Sequence, residues 1–207
     1  MSVYDELARL GMSTVYEASG RRGLIDISLV QVVPGSRAAG PARTARCGQD
    51  DNLMVHAAMS RLEPGEVLVL TMPDPAPVAL IGELLATQAQ QRGAAGILVD
   101  AAVRDVDELA EMGLPIWARW VRSRGADKNV VGQLDVEVQV AGARIRPGDI
   151  VVLDSDGAAV VEQERVEEVL GASRDRAERE RVKREKLQGG ALSYDLDGLR
   201  DIVEGGS

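Results

Sequence analysis

Apolar residues recur along this chain at two spacings, one helical and one alternating, and the changes between them predict its elements. Residues 3–22 read as helical. Ser13-Thr14 is placed to cap a second helix through Val15-Tyr16-Glu17-Ala18, ending at Gly20 or Gly23. Residues 27–33 are rich in β-branched side chains and stop at Pro34-Gly35, which predicts a strand. A second strand is expected from Gly40-Pro41 to Cys47, with Arg43 and Arg46 outward. Asp51-Asn52 caps a helix reaching Leu62, and Pro64-Gly65 turns the chain into a strand over 66–70. Beyond a rigid proline loop at 73–77 come a helix over 83–92, a strand over 97–99, a helix over 106–112 closed by Gly113, and a strand opened by Pro115-Ile116-Trp117-Ala118. Such strand–helix–strand alternation predicts parallel β-α units.

After Gly132 the pattern turns to strands, at 136–140, Arg144-Ile145, 150–153 and 158–162, with a tight turn at Asp154-Ser155-Asp156-Gly157. Residues 163–187 predict a long charged helix, with Gly171 a candidate break and Gly189-Gly190 its end. Residues 192–202 form a short amphipathic tail. The expected organisation is an α/β domain over 1–162 and a helical extension over 163–207.

Composition narrows the chemistry. Of 207 residues, 45% are hydrophobic but only 2% aromatic, with no Phe, so the core must be built from Val, Leu, Ile and Ala. A formal net charge of −9 disfavours a nucleic-acid binder. The arginines over 174–184 alternate with glutamates and read as a solvated helix face. Cys47 is the single cysteine, so no internal disulfide is possible and a reducing compartment fits. With no apolar leader and no run of the ~20 residues that span a bilayer, a soluble cytoplasmic protein without membrane contact is expected. His56 is the single histidine, which excludes a multi-histidine zinc site within one chain. Lysine occurs only at Lys128, Lys183 and Lys186, and a Schiff-base enzyme would need one of them buried. A metal held by carboxylates is the simplest remaining route to carbanion chemistry.

The pair Arg104-Asp105, which follows the apolar run Ile97-Leu98-Val99, carries that chemistry best. Upstream, Gly82-Glu83-Leu84-Leu85 opens a helix whose first N–H groups lack intrahelical partners and suit a carboxylate. Arg104 adds a planar fork for the same anion. Asp105 can hold Mg²⁺ or Mn²⁺, which prefer oxygen ligands. Taken alone, Arg104-Asp105 is equally an ordinary surface ion pair or a helix cap, and Glu108 an ordinary first-turn glutamate. His56, Cys47 and the two tryptophans read more simply as structural. Lys128, with Arg122 and Arg124, is either a contact for distal carboxylates or a solvated loop.

The spacing is more specific. Glu83 is followed by twenty residues, then Arg104-Asp105, then two residues, then Glu108. This resembles the signature of the RraA-like family, in its aldolase branch. The likeness extends over Thr14-Val15-Tyr16-Glu17-Ala18, Gly40-Pro41-Ala42-Arg43-Thr44 and Asp51-Asn52-Leu53-Met54-Val55-His56. It continues through Gly82-Glu83-Leu84-Leu85-Ala86-Thr87, Glu111-Met112-Gly113-Leu114-Pro115-Ile116-Trp117 and Pro147-Gly148-Asp149.

The resemblance implies an α/β/β/α sandwich, phosphohistidine-domain-like, with a C-terminal helical extension, assembled as homotrimers or homohexamers. It also implies a metal-dependent lyase acting on 4-carboxy-4-hydroxy-2-oxoadipate or 4-hydroxy-4-methyl-2-oxoglutarate and decarboxylating oxaloacetate as a side reaction. Asp105 would ligate Mg²⁺ or Mn²⁺ directly, and Glu83 and Glu108 through water. Arg104 and the backbone of Gly82, Glu83, Leu84 and Leu85 would bind the pyruvyl end. A glutamate from a neighbouring subunit's C-terminal helix would approach the site, with Glu180 the candidate. The chain departs from the family at Asp100-Ala101-Ala102-Val103, where many members have Asp-Gly, and at Glu83, where some have aspartate. Two rivals are a ribonuclease-regulating binding protein of the same fold without catalysis, and a dedicated oxaloacetate decarboxylase.

Overall fold

A computed structural model describes residues 1–205. Helices α1 (Val3–Leu10) and α2 (Met12–Ala18) come first. A reciprocal cap starts α1: Ser2 Oγ accepts the Asp5 N–H and the Asp5 carboxylate accepts the Ser2 N–H. Then follow β1 (Val30–Gln31), β2 (Ala38–Arg46), α3 (Leu53–Met59), β3 (Val67–Thr71), β4 (Ala79–Ile81), α4 (Glu83–Gln91), β5 (Gly96–Val103), α5 (Val106–Met112) and β6 (Ile116–Val121). The strand-rich stretch supplies β7 (Gln133–Leu134), β8 (Val138–Val140), β9 (Ala143–Ile145), β10 (Ile150–Asp154) and β11 (Gly157–Val161). A single 3₁₀ turn leads into α6 (Val166–Gln188), and α7 (Ser193–Leu196) and α8 (Leu199–Glu204) close the described chain.

The main sheet runs β1-β6-β5-β3-β2-β10-β11, with β4 added to β5 and β7 to β2. Its centre is parallel, as β2-β3, β3-β5, β5-β6 and β4-β5 all pair in that sense, while the flanking pairs are antiparallel. β8 and β9 form a separate hairpin.

Burial shows why a nearly aromatic-free sequence suffices. Every residue of β3, β5 and β10 is buried, and apart from Thr71, Asp100 and Asp154 these strands are runs of small and branched apolar side chains. Alternate residues serve different layers. Leu68 and Leu70 face α3, α4 and α5, whereas Val67 and Val69 face Val140 and Ile145 of the hairpin. In β10, Val151 and Leu153 join that central layer, while Ile150 and Val152 pack on Leu7, Val15, Val169 and Leu170 from α1, α2 and α6. Helices, sheet, curled sheet and helices therefore stack as the expected α/β/β/α sandwich with a C-terminal helix.

Several expectations change in detail. The strand over 27–33 shrinks to Val30–Gln31, because Ile27 and Leu29 pack against the core from irregular backbone. β4 was not expected. α6 passes Gly171 without a break, its buried side chains being Val169, Leu170 and Ser173 near its start. Arg43 does not point freely outward; it is half-buried between Glu66 and Asp135, 2.7 Å from each. Among the described residues no helix is long and apolar enough to cross a membrane.

Candidate active site

The parallel strands deliver their C-terminal ends to one cavity. β4 pairs with β5 and continues through Gly82 into α4. The end of β5 continues through Arg104 and Asp105 into α5. Register shifts interrupt β5 against both β4 and β6 just before Arg104, and such irregularities commonly re-aim a side chain beside a site. The Arg104 N–H donates to the Ile81 carbonyl at 3.2 Å, tying the two crossings together. A third segment completes the wall, with the Ala79 N–H donating to the Arg124 carbonyl at 2.7 Å.

Asp105 sits at the start of α5 with φ 59° and ψ 45°, a left-handed conformation that aspartate tolerates better than most residues. Its carboxylate does not cap its own helix. Oδ2 instead accepts the N–H of Glu83, the first residue of α4, at 3.1 Å, and lies 3.6 Å from Arg104 Nε. The cap reading of Asp105 is therefore replaced by a tie between two helix starts. Both contacts fall on Oδ2, which leaves Oδ1 for another partner.

Gly82 explains how the groups come so close. Its backbone is extended, a conformation open to any residue, so glycine is required by space. A Cβ there would stand 2.4 Å from Asp105 Oδ2 and 3.1 Å from Arg104 Cγ. Gly125 does the same on the far side, where a Cβ would meet Arg104 Nη1 at 3.0 Å. Two glycines thus seat the guanidinium.

The cavity measures about 410 Å³ and gathers Gly82, Glu83, Leu84, Leu85, Arg104, Asp105 and Glu108. Every site residue expected from the sequence except Glu180 is among its lining. Since Asp105 engages the Glu83 amide, the amides of Leu84 and Leu85 remain the free donors at the start of α4. Glu180 lies on α6, outside this cavity of its own chain, with Oε1 2.9 Å from Arg176 Nη2.

The sequence reading missed part of the lining. Asn52, His56 and Gly125 also line the cavity, although His56 read as structural. Of the basic trio proposed for distal carboxylates, only Lys128 reaches it. Arg124 pairs with Asp50 at 3.1 Å and Arg122 donates to the Val121 carbonyl. Asp51 positions this wall. Burial pushes its carboxyl up, but N–H donors from Asn129, Leu53 and Val130 outweigh burial and hold it below the usual carboxylate range. Trp117 is packing: it is buried, and its Nε1 donates to the Asp154 carbonyl at 2.9 Å. Burial, reinforced by the nearby Asp51 charge, pushes the Cys47 thiol up to about 12, which makes it a poor nucleophile.

The donor set bears on a metal. Among the described residues no three His, Cys, Asp or Glu side chains of one chain gather into a metal cluster. One free carboxylate oxygen, with two further glutamates lining the same cavity, instead suits Mg²⁺ or Mn²⁺ bound through few protein oxygens and several waters.

A family model described as "RraA-like: Aldolase/RraA" matches residues 3–160. A Halalkalibacterium halodurans protein provisionally named 4-hydroxy-4-methyl-2-oxoglutarate aldolase is 35% identical over 131 residues, 63% of this chain and 62% of that protein. The chain therefore spans less than two thirds of that relative's length. A Burkholderia mallei protein with the same provisional name is 40% identical over 124 residues, 60% of this chain and 74% of its own. Among solved structures, Streptomyces coelicolor RraAS2, described as an unusual member of the RNase ES inhibitor RraA protein family, superposes with a TM-score of 0.78. It is 29% identical and covers 88% of this chain and 95% of its own.

Proposed function

Because the chain belongs to the RraA-like family, Aldolase/RraA, we propose that it is a divalent-metal-dependent aldolase releasing pyruvate from a 4-hydroxy-2-oxo acid. The substrates are 4-carboxy-4-hydroxy-2-oxoadipate, giving pyruvate and oxaloacetate, or 4-hydroxy-4-methyl-2-oxoglutarate, giving two pyruvates. Oxaloacetate decarboxylation is a side activity, since it passes through the same enolate. One observation carries the reading: Arg104, Asp105 and the start of α4 converge on a single cavity.

Retro-aldol cleavage breaks the C3–C4 bond, takes a proton from the 4-hydroxyl and leaves negative charge on the 2-oxo oxygen. Arg104 and the amides of Leu84 and Leu85 bind the pyruvyl end, and their positive charge and N–H dipoles stand where that charge develops. Asp105 would hold Mg²⁺ or Mn²⁺, with Glu83 and Glu108 reaching it through water. Such an ion, when bound, adds Lewis-acid polarisation of the 2-oxo group. Lys128 faces the distal carboxylate.

The reading includes a homo-oligomer, a trimer or hexamer, in which residues 163–207 form an extension against a neighbour and bring Glu180 to that neighbour's cavity as a proton-handling group. Supporting this, α6 buries only residues near its start within its own chain. Leu84, at the cavity, is 77% exposed.

Likeness to RraAS2 supports a second reading, a protein that binds and restrains a ribonuclease without catalysis. A coupled pyruvate assay on each substrate, with Mg²⁺ and with EDTA, separates the two. The aldolase reading expects pyruvate release that EDTA abolishes and metal restores. No pyruvate from either aldol substrate under any metal would leave the binding protein standing.

A further inference from the structure

The main sheet carries a second cavity, on the face turned away from α3, α4 and α5. β2 and β3 run parallel and end level with one another, Arg46 lying beside Thr71. On that face Ala42 and Val69 belong to the layer shared with Val140 and Ile145 of the β8-β9 hairpin. Side chains alternate along a strand, so Arg46 and Thr71, which keep the parity of Ala42 and Val69, extend the same face. Ligands of open α/β sheets gather outside such carboxyl ends of parallel strands. Here Arg46, Thr71 and the residues that follow β3 meet the hairpin strands around a cavity of about 360 Å³. None of the residues lining it lines the candidate active site.

Its charge runs against that of the whole chain. Net charge is −9, yet two arginines and one glutamate line this cavity. Elsewhere arginines are well matched: Arg43, Arg146 and Arg181 each pair with two carboxylates. Arg46 pairs with none among the described residues, and its Nη2 donates to the neutral side chain of Gln133 on β7. Arg144 has Glu137, 3.7 Å from its Nε, with the two side chains 61% and 52% exposed. So open an ion pair holds its partners weakly. Both guanidiniums therefore keep N–H groups for an outside carboxylate, which their planar forks suit. The rest of the wall includes Met72, Pro73 and Val138, apolar groups that fit a short carbon chain.

We propose that this cavity is a second small-molecule site and that it binds a short-chain dicarboxylate. One carboxylate sits on Arg46, at the end of β2, and the other on Arg144, from hairpin strand β9. The site is separate from the aldolase chemistry and stands whether or not that reading holds.

The test is equilibrium dialysis of the full chain with radiolabelled succinate, performed on Arg104→Ala so that the pyruvyl-binding arginine is absent. Saturable binding is expected in that protein. Arg46→Gln and Arg144→Gln, each added to it, are expected to weaken binding by at least about 10-fold. Both side chains are exposed, so these replacements leave the fold intact. Unlabelled butyrate lacks the second carboxylate, and inorganic phosphate lacks the carbon chain. Each is expected to displace the label at least about 10-fold less well than unlabelled succinate. No saturable binding, or binding unchanged by both replacements, overturns the proposal. Displacement by phosphate or butyrate as readily as by succinate marks a general anion patch and overturns the dicarboxylate assignment.

Discussion

Asp100 and Asp105 belong to one short stretch of chain, within and just beyond β5, and each meets an arginine under opposite conditions. Asp100 is buried, and Arg119 on β6 donates to it from a side chain itself largely covered. Burial pushes the Asp100 carboxyl up, and the Arg119 guanidinium offsets that only in part. Asp105 and Arg104 are about half exposed and 3.6 Å apart, with the Asp105 backbone bent into the left-handed region. The buried pair stands apart from the cavity, which neither residue lines. The open pair is mutually loose, seated by glycines and aimed at a cavity. Identical residue types become architecture or chemistry according to whether the fold buries them or leaves them open to a cavity.

Removing one partner from the closed pair should give the largest effect. Arg119→Leu leaves the Asp100 carboxylate buried without its cation, and urea unfolding should show a loss of about 3–5 kcal/mol. The deficit should depend on pH with a definite sign. Asp100 already has a folded pKa above its ordinary 3.8, and losing Arg119 raises it further. A raised carboxyl favours the folded state when protonated, and that contribution is lost as pH rises through the folded value. The variant's deficit should therefore be smaller at pH 5 than at pH 7. An equal deficit at both would mean that Asp100 does not feel its burial.

The open pair should respond in the reverse manner. Arg104→Ala is expected to leave stability within about 0.5 kcal/mol, as for most exposed pairs. Pyruvate release should fall by about 100- to 1000-fold. A large loss of stability with turnover intact would erase the distinction between the pairs. Gly82→Ala is the subtler probe. Its Cβ would press on Asp105 Oδ2 and the Arg104 stem, so kcat/KM should drop by up to about 100-fold with folding retained. Unchanged kinetics would show that the close approach at Gly82 plays no part in turnover.

Much of this was readable from the chain, and the unreadable parts share a cause. The helix over 106–112 was expected within the bounds that α5 adopts, because its apolar spacing and Gly113 are local signals. Gly82, Glu83, Arg104, Asp105 and Glu108 were legible through a glycine opening a helix and the twenty-residue spacing to Arg104-Asp105, and all five line one cavity. β4 was not, since three buried residues after a proline loop have no period to recognise. Asp51-Asn52 read as one helix cap, yet Asn52 makes no capping bond while Asp51 bonds the Leu53 N–H and holds the 129–130 loop. The wall formed by Asn52, His56 and Lys128 joins segments more than seventy residues apart, and no local pattern encodes that meeting. Its one signal was the family likeness running through 51–56.

Gly82 also limits how this scaffold can diversify. A position where even one methyl group would press on both Asp105 and Arg104 leaves natural variation little room to retune the pyruvate side. His56 and Lys128 are exposed, so their side chains can be exchanged without touching that hub. Descendants of this fold that take new acids should differ at 56 and 128 and keep glycine at 82.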